Sequence, residues 1–249
     1  SATNRLMLVG VSVGNSTGGN SRPTNIVYGA QALTRVRTNQ LIAVTWWPNT
    51  EIWQLTNPSS GTATVLVQMA GTRPLAVGVV TFSGVNPTNP LTSTNMIATG
   101  TGTTASITVT NADFFYGVVS VVKGTATIGI TSAVSQTSQT YERTNGTTYL
   151  MHRSDTKAGS TNTTMSWNWA GTNCDWAIVA VGINAASVTG GGTNMASFTQ
   201  APVLCENLNL PAGGVISVTN YVNVTNGVMP GSPNITARLS RFISWIMRA

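Results

Sequence analysis

Runs of β-branched and aromatic residues, broken by Gly, Pro, Asn or Asp about every eight to twelve positions, fill most of this chain. That punctuation constrains the fold more than any other feature, because it leaves no room for long helices. Helix signal is almost absent before the C-terminal tail. The expected fold class is therefore all-β. Strands are expected at Arg5–Val13, Ala32–Thr38, Leu41–Trp46, Glu51–Leu55, Thr62–Met69, Leu75–Ser83, Ala105–Thr110, Tyr116–Val122, Thr164–Trp169 and Trp176–Ile183.

The patterns within these runs differ. In TATVLVQM, Ala63, Val65 and Val67 fall on one face, and in TMSWNW, Met165, Trp167 and Trp169 do the same. Such strands bury one side. YGVVSVV and AIVAVGI are apolar on both faces, as central strands covered on both sides would be. Asn145-Gly146, between QTYERT and TTYLMH, is the strongest hairpin signal. Near Val188 the texture changes, and VTGGGTN reads as a linker. The expected organisation is a sandwich over residues 1–187, then a linker, a small C-terminal β segment and an apolar tail over 188–249. The tail RLSRFISWIMRA fits either an amphipathic helix, through Leu239, Phe242, Ile243 and Ile246, or an extended arm.

Charge is scarce. Only 7% of residues are Asp, Glu, Lys or Arg, against about 25% in ordinary domains. With 41% hydrophobic residues the chain is not composed like a disordered one, so Thr, Ser, Asn and Gln must make the polar surface. Twelve basic residues against six acidic ones give a pI near 9.9, but the basic residues are dispersed, and no nucleic-acid partner is expected. No apolar run reaches the roughly 18 residues of a membrane span. Ser1-Ala2 has the look of a signal-cleavage product, and a low-charge, Thr-rich chain with two cysteines suits an extracellular, cell-surface location.

The phrases NRLMLVGVSV, VYGAQALTRV, EIWQLTNPSSGTATVLV, VVTFSGVNPTNPL and WAIVAVGI carry a family resemblance. From Asn4 to about Ala185 the chain resembles a β-sandwich module of secreted bacterial and archaeal surface proteins, of the concanavalin/laminin-G type. The resemblance implies a jelly-roll sandwich, appended to adhesins or surface filaments, with no catalytic activity. Such modules carry a further strand before the NRL strand. Its absence here implies an open edge, filled by the chain's own C-terminal segment or by a neighbouring subunit.

Candidate chemistry is thin. The acids Glu51, Asp113, Glu142, Asp155, Asp175 and Glu206 are isolated in sequence, whereas a glycosidase needs two carboxylates across a sugar ring. His152 is the single histidine, no G-x-S-x-G elbow accompanies it, and a surface or groove position is expected for it. No metal or other cofactor is expected. Cys174 and Cys205 are an even pair and are expected to form a disulfide, with two buried thiols as the alternative. Trp46-Trp47 sits at a strand end, where one indole should be buried and the other exposed to stack on a glycan or anchor an interface; Trp53, Trp167 and Trp176 are expected in the core. Asn15, Asn145, Asn162, Asn223 and Asn234 begin N-x-S/T sequons.

The expected function is structural and non-enzymatic. The chain is read as a homopolymer-forming subunit of an extracellular filament, pilus-like fibre or sheath, joined by β-strand addition as in donor-strand complementation. The arm from about Ile235 to Ala249 is the favoured donor, anchored by Leu239, Phe242, Ile243, Trp245 and Ile246. The alternatives are a monomeric adhesin or carbohydrate-binding module that takes surface glycans, and a viral capsid or decoration jelly roll.

Overall fold

The computed structural model describes residues 4–16, 21–42, 46–92, 96–123, 128–143, 149–159, 161–171, 173–186, 198–199 and 215–222. Its strands are β1 (Leu6–Ser16), β2 (Pro23–Tyr28), β3 (Gln31–Ala32), β4 (Thr34–Gln40), β5 (Trp46–Thr56), β6 (Gly61–Met69), β7 (Leu75–Phe82), β8 (Met96–Gly102), β9 (Thr104–Thr110), β10 (Phe114–Lys123), β11 (Ile130–Ser132), β12 (Thr137–Arg143), β13 (Tyr149–Ala158), β14 (Asn162–Trp169), β15 (Cys174–Ile183), β16 (Phe198–Thr199) and β17 (Val215–Val222). The described residues contain no helix, as expected for an all-β chain.

These strands form four antiparallel sheets in four layers. A first inner sheet has the order β16-β7-β1-β5-β4, and its outer partner is β17-β6-β2-β3. A second inner sheet runs β12-β13-β10-β15-β8, and its outer partner is β11-β14-β9. Three apolar layers hold the stack. Val9, Val11, Trp53 and Val77 pack on Ile26, Val65 and Val67 in the first sandwich. Phe115, Val119 and Ile178 pack on Val109, Met165 and Trp167 in the second. The two inner sheets then meet back to back, where Leu6, Leu8, Ile52 and Phe82 cover Tyr116, Val118, Val179 and Val181. Phe82 and Tyr116 meet edge to face across this layer, with ring centroids 6.3 Å apart. Strands β10 and β15 are buried on both faces because each lies inside an inner sheet, as their unbroken apolar patterns require. Where a single sandwich was expected over residues 1–187, the described strands form two, and the first of them takes in β16 and β17 from beyond that boundary.

Both sandwiches are wound alike. In the second, the strands in chain order are β8 to β15, with the first beside the last and the third beside the sixth in the inner sheet. This is jelly-roll winding. The first sandwich matches it, with β1, β2, β4, β5, β6 and β7 in the places of β10, β11, β12, β13, β14 and β15, and β3 as an added outer strand. The places of β8 and β9, which open the second jelly roll, are taken in the first by β16 and β17, from the far end of the chain.

Two seams join the jelly rolls. The loop Gly84–Thr92 lies along the end of β15, through bridges Val85–Ala185 and Leu91–Ile183 and the bond from Asn86 N–H to the Asn184 carbonyl at 2.8 Å. Gly84 takes a positive φ of 74° there, which a side chain would strain. The FSGVNPTNPL and WAIVAVGI phrases therefore meet in space. At the other end, the Asn39 amide donates to the carbonyls of Ala98 and Ile178 at 2.7 and 3.0 Å.

Between these seams the inner sheets approach so closely that Gly10 and Gly78, cross-strand neighbours on β1 and β7, leave room for side chains of the opposite sheet. A Cβ on Gly10 would lie 2.6 Å from the Tyr116 hydroxyl, and one on Gly78 would strike Thr140 and lie 3.1 Å from Nε2 of His152. Gly78→Val is therefore expected to destabilise by about 1–3 kcal/mol in urea unfolding. Gly129→Ala, with open space at its Cβ, should stay within about 0.5 kcal/mol of the parent. Equal midpoints for the two variants would rule out this close approach.

Of the expected Leu41–Trp46 strand, Leu41 and Ile42 stand outside any strand, residues 43–45 lie outside the described residues, and Trp46 opens β5. Leu41 instead donates its N–H to the Pro48 carbonyl at 3.1 Å, closing the turn between β4 and β5. Strands β2 and β8 were not foreseen, since PTNIVY opens on proline and MIATGTG carries two glycines. The Asn145-Gly146 turn lies outside the described residues, but its flanking strands β12 and β13 do pair antiparallel.

Candidate functional site

Three groups capable of acid–base chemistry, His152, Glu51 and Asp155, are sealed inside the layers. His152, on β13, is fully buried, contrary to the surface or groove position expected from sequence. Alternation along β13 turns it toward the first inner sheet. There its Nδ1 lies 2.8 Å from Ser12 Oγ and its Nε2 2.8 Å from Thr140 Oγ1, which in turn lies 2.6 Å from Ser154 Oγ. Both ring nitrogens face hydroxyls, so a neutral imidazole is satisfied with one donor and one acceptor. Burial lowers its pKa to about 3. With no solvent access and no carboxylate bonded to the ring, this Ser–His contact is a polar rivet between sheets rather than an activated nucleophile.

Two carboxylates are also buried. Glu51 on β5 accepts from the Trp53 indole at 2.8 Å and from Thr38 at 3.2 Å, with the Arg35 guanidinium 3.6 Å away. Burial raises its pKa, while Trp53, the nearby Arg35 and Arg22, and Thr38 oppose the rise. Asp155 on β13 accepts from Arg153 at 3.2 Å, from Gln136 at 3.0 Å, and from Ser132 and the Trp167 indole. Each of these two acids is paired with an arginine, and both are interior groups.

Glu51 shares its strand face with Trp53, in the first sandwich, and Asp155 contacts Trp167, in the second. Two inner sheets about 10 Å apart lie between them. A sugar ring cannot bridge them, since glycosidase carboxylates stand about 5–9.5 Å apart around an open cleft. Of the other described acids, Asp113 accepts from the Ala185 N–H and Asp175 from Thr101. Among the described residues no cluster of His, Cys, Asp and Glu could hold a metal.

The remaining candidates scatter. Cys174 opens β15 and is buried, which raises its thiol pKa against the opposing pull of Lys123; Cys205 lies outside the described residues. Trp46 and Trp47 are both half-buried, so the expected split into one core and one open indole is not seen. Trp46 packs on Ala76, Val122 and Leu150 between the inner sheets, which leaves less ring for a glycan than sequence suggested. Trp53 and Trp167 are core, and Trp176 packs at the core's margin. Asn15 is fully buried and holds Ser21 and Arg73, so it cannot be an accessible sugar attachment point. Asn162 is exposed on β14, whereas Asn145, Asn223 and Asn234 lie outside the described residues. So do Leu239, Phe242, Ile243, Trp245 and Ile246.

What stands out is the closure of the first jelly roll. β17 pairs with β6 along its length, placing Ile216 and Val218 in register with Val67 and Val65 of β6, two fully buried valines. β16 pairs with β7 through Phe198–Phe82 and Thr199–Thr81. Strands β16 and β17 thus lie along the edges of β7 and β6. The donor favoured from sequence, residues 235–249, lies outside the described residues; the sequence signal for β17 was the alternation in VISVTNYV.

No family model, no curated protein and no solved structure matches the chain. The surface-module resemblance therefore rests on the quoted phrases, while the all-β sandwich architecture rests on the sheets themselves. Among the described residues no helix is long and apolar enough to cross a membrane.

Proposed function

We propose that this protein is a non-enzymatic structural subunit of an extracellular filament, pilus-like fibre or sheath, which joins its copies by β-strand addition. The observation that carries this reading is the closure of the first jelly roll by strands that follow the whole second one. A sheet finished by a distant segment is a sheet that another copy's segment can finish. Head-to-tail joints of this kind build open chains when the rotation does not close.

The surface supports the reading. Strands β3, β8, β9 and β11 contain no charged residue, and the first three of them lie at sheet edges with β11 at a fourth. A soluble monomer ordinarily guards such edges with charge. The outward positions of β9 are Thr104, Ser106 and Thr108, which suit close packing against neighbours without charge repulsion.

Negative-stain electron microscopy of the native protein at rising concentration, and after heating in detergent, tests this. Filaments of uniform width that survive detergent are expected. Single compact particles at every concentration would reject the filament reading. The tail is tested in the same preparation. If Leu239, Phe242, Ile243, Trp245 and Ile246 anchor the joint, deleting Arg241–Ala249 abolishes the filaments and leaves the sandwiches folded. Filaments of normal length from that variant would assign the joint to another part of the chain.

A further inference from the structure

We infer that the joint is the strand pair β16–β17, and that it is exchangeable: residues 198–222 of one copy complete the first jelly roll of another. This rests on the filament reading above and names the donor, the acceptor edges and the partner, a second copy of this chain.

The duplicated fold supplies the argument. In the second jelly roll the opening pair is tightly tethered, with one residue between β8 and β9 and three between β9 and β10. In the first jelly roll the connections to the same pair are longer. Residues 184–197, fourteen in all, separate β15 from β16, and residues 200–214, fifteen in all, separate β16 from β17. Yet the crossing from an inner sheet to its outer partner is only about 10 Å. Elsewhere in this sandwich that step takes four residues, 57–60, or five, 70–74. Residues 184–186 are held against the Gly84–Thr92 loop, and the eleven that follow, 187–197, can span up to about 36–40 Å when extended. The tether is several times longer than closure on its own sandwich needs, and long enough to reach the sandwich of an adjoining copy.

The ladders point the same way. Among the described residues β16 pairs only with β7, and β17 only with β6, each at a sheet margin. Removing the pair would leave Val65, Val67 and Phe82 beside bare edges, so the acceptor cannot stay empty. It takes either its own pair or a neighbour's, through identical backbone bonds. Concentration then decides. A tethered segment acts at roughly millimolar effective concentration, so dilute chains close on themselves and crowded chains exchange.

Thr64 and Thr219 face each other across the β6–β17 ladder. In a Cys205→Ser background, Thr64→Cys with Thr219→Cys is assembled, oxidised and run on a denaturing, non-reducing gel. A ladder of covalent multimers is expected, together with covalent dimers when Thr64→Cys chains are mixed with Thr219→Cys chains. Filaments whose chains run only as internally linked monomers would overturn the exchange and leave the filament reading standing. Internally linked monomers without filaments would overturn both. Gln68→Cys with Val215→Cys, at the other end of the same ladder, gives the same readout if the first pair does not fold.

Discussion

Between pH 7 and pH 4 the protein is expected to lose about 3 kcal/mol of stability through His152 alone. The unfolded chain takes up a proton near 6.5, whereas the folded one, with the ring buried among Ser12, Thr140 and Ser154, resists until about 3. The stability held by the neutral ring is complete above pH 6.5 and drains as the pH falls toward 3. Glu51 works in the opposite direction. Burial raises its pKa, so its contribution is present in acid and lost as the pH rises through its folded value. Urea midpoints measured from pH 7 to pH 4 for the parent and for His152→Gln separate the two. The variant should begin less stable at pH 7 and show a slope smaller by about one proton. An unchanged slope would mean that some other group drives acid unfolding.

Trp167→Ala is expected to cost about 3–5 kcal/mol, enough to unfold many domains. Two effects add. The indole is among the largest fully buried side chains and fills the second sandwich between Gly117 and its neighbours on β14. Its N–H also caps Asp155, a buried carboxylate that would lose a donor. Trp167→Phe isolates the second effect, since most of the ring volume stays; a loss of about 1–3 kcal/mol is expected. If Trp167→Phe matches the parent, then Arg153, Ser132 and Gln136 alone suffice to hold Asp155.

Much of this could be read from the chain. Strict alternation in β6, β9 and β14 marks strands with one covered face. Unbroken apolar runs in β10 and β15 mark strands covered on both sides, a first sign that one two-layer sandwich would not be enough. The acids were harder to place. EIWQL gives no local sign that Glu51 is interior, because its burial depends on Trp53, Thr38 and Arg35 converging from two strands. His152 was harder still. Its partner Ser12 lies 140 residues away on another sheet, and no local pattern reports a contact at that distance.

By itself, then, the sequence determined most of the strands, their covered faces and the all-β class, because those follow from side-chain period and turn residues within a few positions of one another. Only the tertiary structure decided which strands are neighbours: that the chain makes two jelly rolls stacked through their inner sheets, that Gly10 and Gly78 open the space for Tyr116, Thr140 and His152, and that the first jelly roll is closed by β16 and β17. The physical reason is that backbone ladders are made of the same N–H and C=O groups in every strand. Pairing is therefore selected by the fit of buried faces far apart in the chain, and that fit exists only once the layers have formed.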